Sequence, residues 1–145
     1  MYFDEEVVLD VRLNTLNKYV DYFVIVESEF THSGNKRDLK FNHKKFEKFK
    51  NKIIYKVFNK PPNNLENIND NDSEEVKGNK YIMNAIKREN GQRNLIDEGL
   101  YEAEKNDIIL ISDVDEIPDL SKIDFGKVTE KILMFRQDMF CYKFN

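Results

Sequence analysis

Four short apolar runs constrain this chain more than any other feature: Tyr22-Phe-Val-Ile-Val-Glu27, Ile53-Ile-Tyr-Lys-Val-Phe58, Asp107-Ile-Ile-Leu-Ile-Ser112 and Lys131-Ile-Leu-Met-Phe135. Each is continuous rather than alternating, the pattern of a strand covered on both faces. Helical spacing lies between them. Val7, Val8, Val11, Leu13 and Leu16 form a stripe ahead of the first run. Ile82, Ile86, Ile96, Leu100 and Ala103 mark a helical stretch over Lys80–Lys105 ahead of the third, interrupted by Asn90-Gly91. Helices alternating with buried strands predict an α/β fold with a mostly parallel sheet flanked by helices. Pro61–Asn79, which opens on Pro61-Pro62 and is rich in Asn and Asp, reads as an exposed loop.

At 145 residues the chain reads as a single domain over residues 1–145. A domain of that size buries roughly 68–70% of its unfolded surface, so it needs no covalent staple. None of its runs approaches the roughly 20 apolar residues of a bilayer-crossing helix, which excludes a membrane span of that kind. Met1-Tyr-Phe-Asp-Glu-Glu6 has neither the basic nor the apolar part of a secretory leader, and a cytoplasmic chain is the expectation. Cys141 is the only cysteine, which excludes an intramolecular disulfide and a cysteine-based zinc site.

Charge is uneven although the net value is only −4. Asn35–Lys60 carries ten Lys or Arg against Asp38 and Glu47, with Phe41, Phe46 and Phe49 interleaved. An amphipathic helix near His43–Asn51 with a solvated lysine face explains this better than a nucleic-acid surface, so no nucleic-acid partner is expected.

The third run leads directly into Ser112-Asp-Val-Asp-Glu-Ile-Pro118. Ligands of open α/β sheets gather beyond the carboxyl ends of strands, which is where Asp113 and Asp115 fall. Two aspartates one residue apart can share a hard divalent cation and leave its other positions to phosphate oxygens. Three other readings compete. A calcium loop needs glycine at its sixth position, where Pro118 stands, and is rejected. A phosphatase of the haloacid dehalogenase type also runs a strand into D-x-D, but only about thirty residues follow here and they hold no second aspartate pair. A solvated acidic turn capping a helix is the plain alternative.

Glu27 ends the first run and, in a parallel sheet, shares an edge with Asp113. It reads either as a hydrogen-bond acceptor for a base or sugar or as a strand-end carboxylate paired with one of the lysines. Thr31-His-Ser-Gly34 is a polar, glycine-containing loop that matches no phosphate-loop signature. Glu89 and Arg93 stand four apart on a predicted helix, the spacing of a surface ion pair; the sharper reading gives Arg88 and Arg93 to a diphosphate.

Val11-Arg-Leu-Asn-Thr-Leu16, Tyr19-Val-Asp-Tyr-Phe-Val-Ile-Val-Glu-Ser28, Thr31-His-Ser-Gly34, Arg88-Glu89, Gln92-Arg93-Asn94 and Ser112-Asp-Val-Asp-Glu-Ile-Pro118 follow one another in an order that resembles glycosyltransferase family 17. The resemblance runs from about Asp4 to Asp115 and continues loosely to Asn145. It implies a GT-A type, Rossmann-like fold, of which this chain is the N-terminal, donor-binding and therefore incomplete portion, since members usually continue for about as many residues again. It also implies transfer of N-acetylglucosamine from UDP-N-acetylglucosamine to a glycan hydroxyl with inversion, and a divalent metal, manganese or else magnesium. Residue by residue, it maps Asp113 and Asp115 onto the metal motif. Glu27, Arg88, Arg93 and Asp113 map onto donor binding. No catalytic base is assigned: Glu116 reads as a neighbour of the metal ligands, and Asp138 comes early in the following segment. The competing reading from another class is a non-catalytic remnant that keeps the fold and binds a partner or glycan.

Overall fold

The computed structural model describes residues 1–137. At its centre, β1 (Phe23–Ser28) and β2 (Ile53–Phe58) pair in parallel with Phe23 opposite Ile53 and Ser28 opposite Phe58. Their β-branched and aromatic residues suit a pleated, covered surface. On the other side of β1, Tyr2 forms a single parallel bridge to Glu27, its N–H donating to the Val26 carbonyl at 2.9 Å.

Side chains alternate between the faces of β1. Phe23 and Ile25 join a core with Leu9, Leu13 and Leu16 of α1 (Glu6–Leu16) and with Phe46 and Phe49. The face carrying Val24, Val26 and Ser28 meets α2 (Glu74–Asn94) and the 3-10 turn Leu95–Gly99 that continues it; Gly99 packs directly on Val24. Gln92 of α2 reaches the same Val26 carbonyl at 3.2 Å.

Several expectations need correction. The sheet has two strands among the described residues, not four. Asp107–Ser112 and Lys131–Phe135 are not strands, and Ile108, Ile109 and Ile111 are 63%, 44% and 65% exposed. The Val26 carbonyl on the outer side of β1 is already occupied by Tyr2 and Gln92, and no layer covers the third run. Only Leu110 and Phe135, one from each run, pack against the core.

The buried stripe of α1 is Leu9, Leu13 and Leu16, while Val7 and Val11 face solvent. α2 starts six residues before Lys80, where Ser73 caps it by accepting from the Val76 N–H, and it ends at Asn94 rather than Lys105. Ile82 and Ile86 are exposed, and Asn84 is the buried residue of this helix, exchanging hydrogen bonds with the backbone of Glu66. Gly91 does not break the helix, because a side chain there would meet the Phe58 ring at 2.9 Å: the glycine lets α2 approach the end of β2. The expected loop therefore runs only to the Ser73 cap.

The helix expected near His43–Asn51 is a series of tight turns with a 3-10 segment at Glu47–Phe49. Successive bonds from Phe46 to His43, Phe49 to Phe46 and Lys52 to Phe49 repeat every three residues. That period eclipses side chains three apart, which puts Phe46 and Phe49 together in the core. Lys45, Lys48 and Lys52 fasten this segment to the α1 region through Glu6, Asn14 and the carbonyls of Asn17 and Val20. Cys141 and Asp138 lie outside the described residues.

Candidate functional site

The segment Ser112–Glu116 is held mainly by one side chain that sequence reasoning passed over. Arg12 of α1 donates from Nη1 to the carbonyls of Asp113 and Glu116 at 2.7 and 2.9 Å, and from Nη2 to Ser112 Oγ at 2.7 Å. The Ser112 hydroxyl in turn donates a hydrogen bond to the Glu116 carbonyl at 3.0 Å, and Glu116 Oε2 accepts from the Asp113 N–H at 3.0 Å. Burial lowers the pKa of the Arg12 guanidinium, opposed by the carboxylates of Glu116, Asp113 and Asp115. A planar fork can bridge two carbonyls and a hydroxyl at once, so Arg12 shapes the turn through its backbone and leaves the aspartate side chains available.

Those side chains differ. Asp113 is half-exposed, with Oδ1 3.5 Å from Arg93 Nη2. Asp115 is exposed and has no side-chain hydrogen bond to the described residues. Arg93 also contacts Glu89 Oε1 at 3.2 Å, so the surface pair foreseen from spacing is present and extends to Asp113.

Arg88, one turn before Gln92 on α2, leans the other way. Its Nη1 donates to the His32 carbonyl at 2.9 Å, and its guanidinium lies over Gly34. Gly34 has φ of 94°, a conformation that side chains disfavour, and a Cβ there would stand 2.5 Å from Arg88 Nη2. The polar loop and Arg88 thus fit against each other. The cleft they share with Ser28, Phe30, Glu89 and Gln92 encloses about 10 Å³, room for about one water molecule.

Glu27 stands apart from this group. Alternation turns it to the face of Phe23 and Ile25, opposite to Ser28 and α2. Its carboxylate is fully buried and accepts from the N–H groups of Lys40 and Phe41 at 2.6 and 3.0 Å and from the Tyr55 hydroxyl at 2.7 Å. Arg37 completes the set at 3.3 Å. These four donors match the roughly four lone-pair positions of a carboxylate. The paired-carboxylate arrangement is therefore what the chain adopts, with arginine and backbone in place of a lysine. Burial, then the bond to Glu27, raises the pKa of the Tyr55 phenol.

The acidic turn consequently lies between two helices, touching Arg12 of α1 and Arg93 of α2, while Gln92 ties α2 to β1. Among the described residues no three His, Cys, Asp or Glu side chains cluster closely enough to enclose a metal. Two hard oxygen donors on one turn fit a cation whose remaining positions go to water and phosphate, and the guanidinium beside Asp113 suits the phosphate rather than the cation. They do not fit a closed structural site.

The fold and site define a small α/β protein that presents an acidic D-x-D turn between two arginine-bearing helices. Over residues 1–145, its whole length, the chain matches the model of glycosyltransferase family 17, and it belongs to that family. No curated protein and no solved structure shows a match to it. Membership favours glycosyl transfer over the phosphatase as the general activity. It implies a nucleotide-sugar donor and a glycan acceptor.

Proposed function

We propose that this chain is the donor-binding part of a divalent-metal-dependent glycosyltransferase of GT-A type. It would take N-acetylglucosamine from UDP-N-acetylglucosamine and support its transfer to a glycan hydroxyl with inversion. The observation that carries the reading is the division of labour in the acidic turn: Arg12 engages the backbone of residues 113 and 116, while the carboxylates of Asp113 and Asp115 remain accessible.

In this reading Asp113 and Asp115 hold the cation, manganese or magnesium, which supplies electrostatic stabilisation for the charge developing on the departing diphosphate. Arg12, bonded to the Asp113 and Glu116 carbonyls and to Ser112 Oγ, holds the backbone of the turn that carries both aspartates. Arg93 and Arg88 supply guanidinium groups suited to phosphate oxygens, Arg93 from beside Asp113 and Arg88 from beside the Thr31–Gly34 loop. Glu27 serves this site at a distance, by fixing the segment that follows β1.

Titration calorimetry with UDP and Mn2+ tests the proposal. Wild-type chain should bind UDP in a Mn2+-dependent manner, and Asp115→Ala should abolish that dependence. Unchanged binding in the variant rejects the metal assignment. Donor hydrolysis and sugar transfer measured on the same preparation test the chemistry; intact binding without either activity at any metal concentration would make the chain a non-catalytic binder of nucleotide sugar.

A further inference from the structure

Arg93 occupies the last turn of α2, with one nitrogen, Nη2, 3.2 Å from Glu89 Oε1 and 3.5 Å from Asp113 Oδ1. Both contacts are longer than the roughly 2.7–2.9 Å of a strong charge-assisted bond. All three side chains are partly exposed, at 39%, 37% and 50%. This is a cation shared between two carboxylates rather than a locked pair. Asp113 therefore already has a positive charge beside it, and a divalent cation arriving there meets a like charge. Glu89, one helical turn back on the same helix, gives the guanidinium a second negative partner when it leaves Asp113. Released from Asp113, the planar guanidinium is free to grip a phosphate oxygen pair.

We propose that Arg93 is the internal counter-ion of the Asp113–Asp115 site. It neutralises Asp113 in the free protein, and it moves to Glu89 and the incoming diphosphate when a divalent cation takes its place. The inference rests on the metal reading above and adds a sign to it: Arg93 opposes the metal alone and favours metal and nucleoside diphosphate together, which makes their binding cooperative. Arg88 has no such choice, because its guanidinium lies against the Thr31–Gly34 loop.

The test uses the full chain and two probes, Mn2+ alone, followed by the electron paramagnetic resonance of the unbound ion, and UDP at saturating Mn2+, followed by calorimetry. Arg93→Gln should bind Mn2+ alone about two- to fivefold more tightly, the range expected on removing an exposed ion pair. The same variant should bind UDP with Mn2+ about tenfold more weakly, having lost a charge-assisted phosphate contact. Glu89→Gln leaves Asp113 as the guanidinium's remaining carboxylate partner and should weaken Mn2+ alone about twofold. If wild type binds Mn2+ and Asp115→Ala does not, yet Arg93→Gln binds the ion equally or more weakly, the counter-ion role is overturned and the metal reading stands. If wild type binds no Mn2+ with or without UDP, both fall.

Discussion

Glu27 is a carboxylate whose surroundings, more than its position at a strand end, define its role. Four donors converge on it from the segment after β1 and from β2. Removing one member of a buried, hydrogen-bonded charge pair typically costs about 3–5 kcal/mol, because the partners are left buried and unpaired. Glu27→Ala should therefore lower the urea unfolding midpoint by an amount equivalent to that loss; a change under about 1 kcal/mol would deny the carboxylate its structural role. The residue was legible as chemically important but its partner was not, since lysines outnumber arginines in the basic segment. The available signal was parity: Glu27 shares the sheet face of Phe23 and Ile25, the core side.

Tyr55 adds a pH dependence of definite sign. Its phenol ionises at higher pH in the folded chain than in the unfolded chain, so the unfolded state loses its proton first as pH rises. The stability it contributes is complete below the ordinary phenol pKa near about 10 and is lost progressively above it, towards the raised folded value. Tyr55→Phe should flatten the fall in thermal stability on the alkaline side, measured as the unfolding midpoint from about pH 9 to 11.

At the scale of elements, local chemistry was legible where it carries its own period. Leu13 and Leu16 of the expected α1 stripe, the β1 and β2 runs and Phe46 and Phe49 found their place in the core, whereas Val7 and Val11 face solvent and Leu9, outside the expected stripe, is buried instead. The third and fourth runs did not, because an apolar run becomes a buried strand only if an edge and a covering layer exist for it, and neither is encoded in the run itself. Ile111 makes the difference measurable. A residue in a doubly covered strand would lose several kcal/mol on truncation, whereas the exposed Ile111 should tolerate Ile111→Ser within about 0.5 kcal/mol in chemical denaturation.

Arg12 was quoted as part of a motif but not as a site residue, since nothing in Val11-Arg-Leu-Asn reveals a partner a hundred positions away. Arg12→Ala should reduce stability by about 1.5–3 kcal/mol, the range for hydrogen bonds to a charged group. It should also weaken Mn2+ binding in the presence of UDP. Arg12→Lys should recover only part of both, because an ammonium lacks the planar fork that spans two carbonyls and a hydroxyl. Equal recovery by lysine would show that charge alone suffices.

At the scale of the whole molecule, the matched family spans the entire chain, and the two helices on either side of the acidic turn, α1 near the N-terminus and α2 in the middle of the chain, are far apart in the sequence. The motif order was readable because it is linear; the arrangement of Arg12, Arg93 and Asp113 was not, because it exists only after the sheet and both helices have packed.

The three bonds from Arg12 to Ser112, Asp113 and Glu116 close loops of 100 to 104 residues, the longest reach among the side-chain hydrogen bonds of the described residues. Loop closure of that size is entropically costly and slow to be rewarded, so the acidic turn should acquire its shape after the local helices and the β1–β2 pair are in place. A ligand that recognises only the finished turn then acts on the way out of the native state and not on the way in. Mn2+ with UDP should slow unfolding in stopped-flow denaturant jumps and leave the refolding rate nearly unchanged.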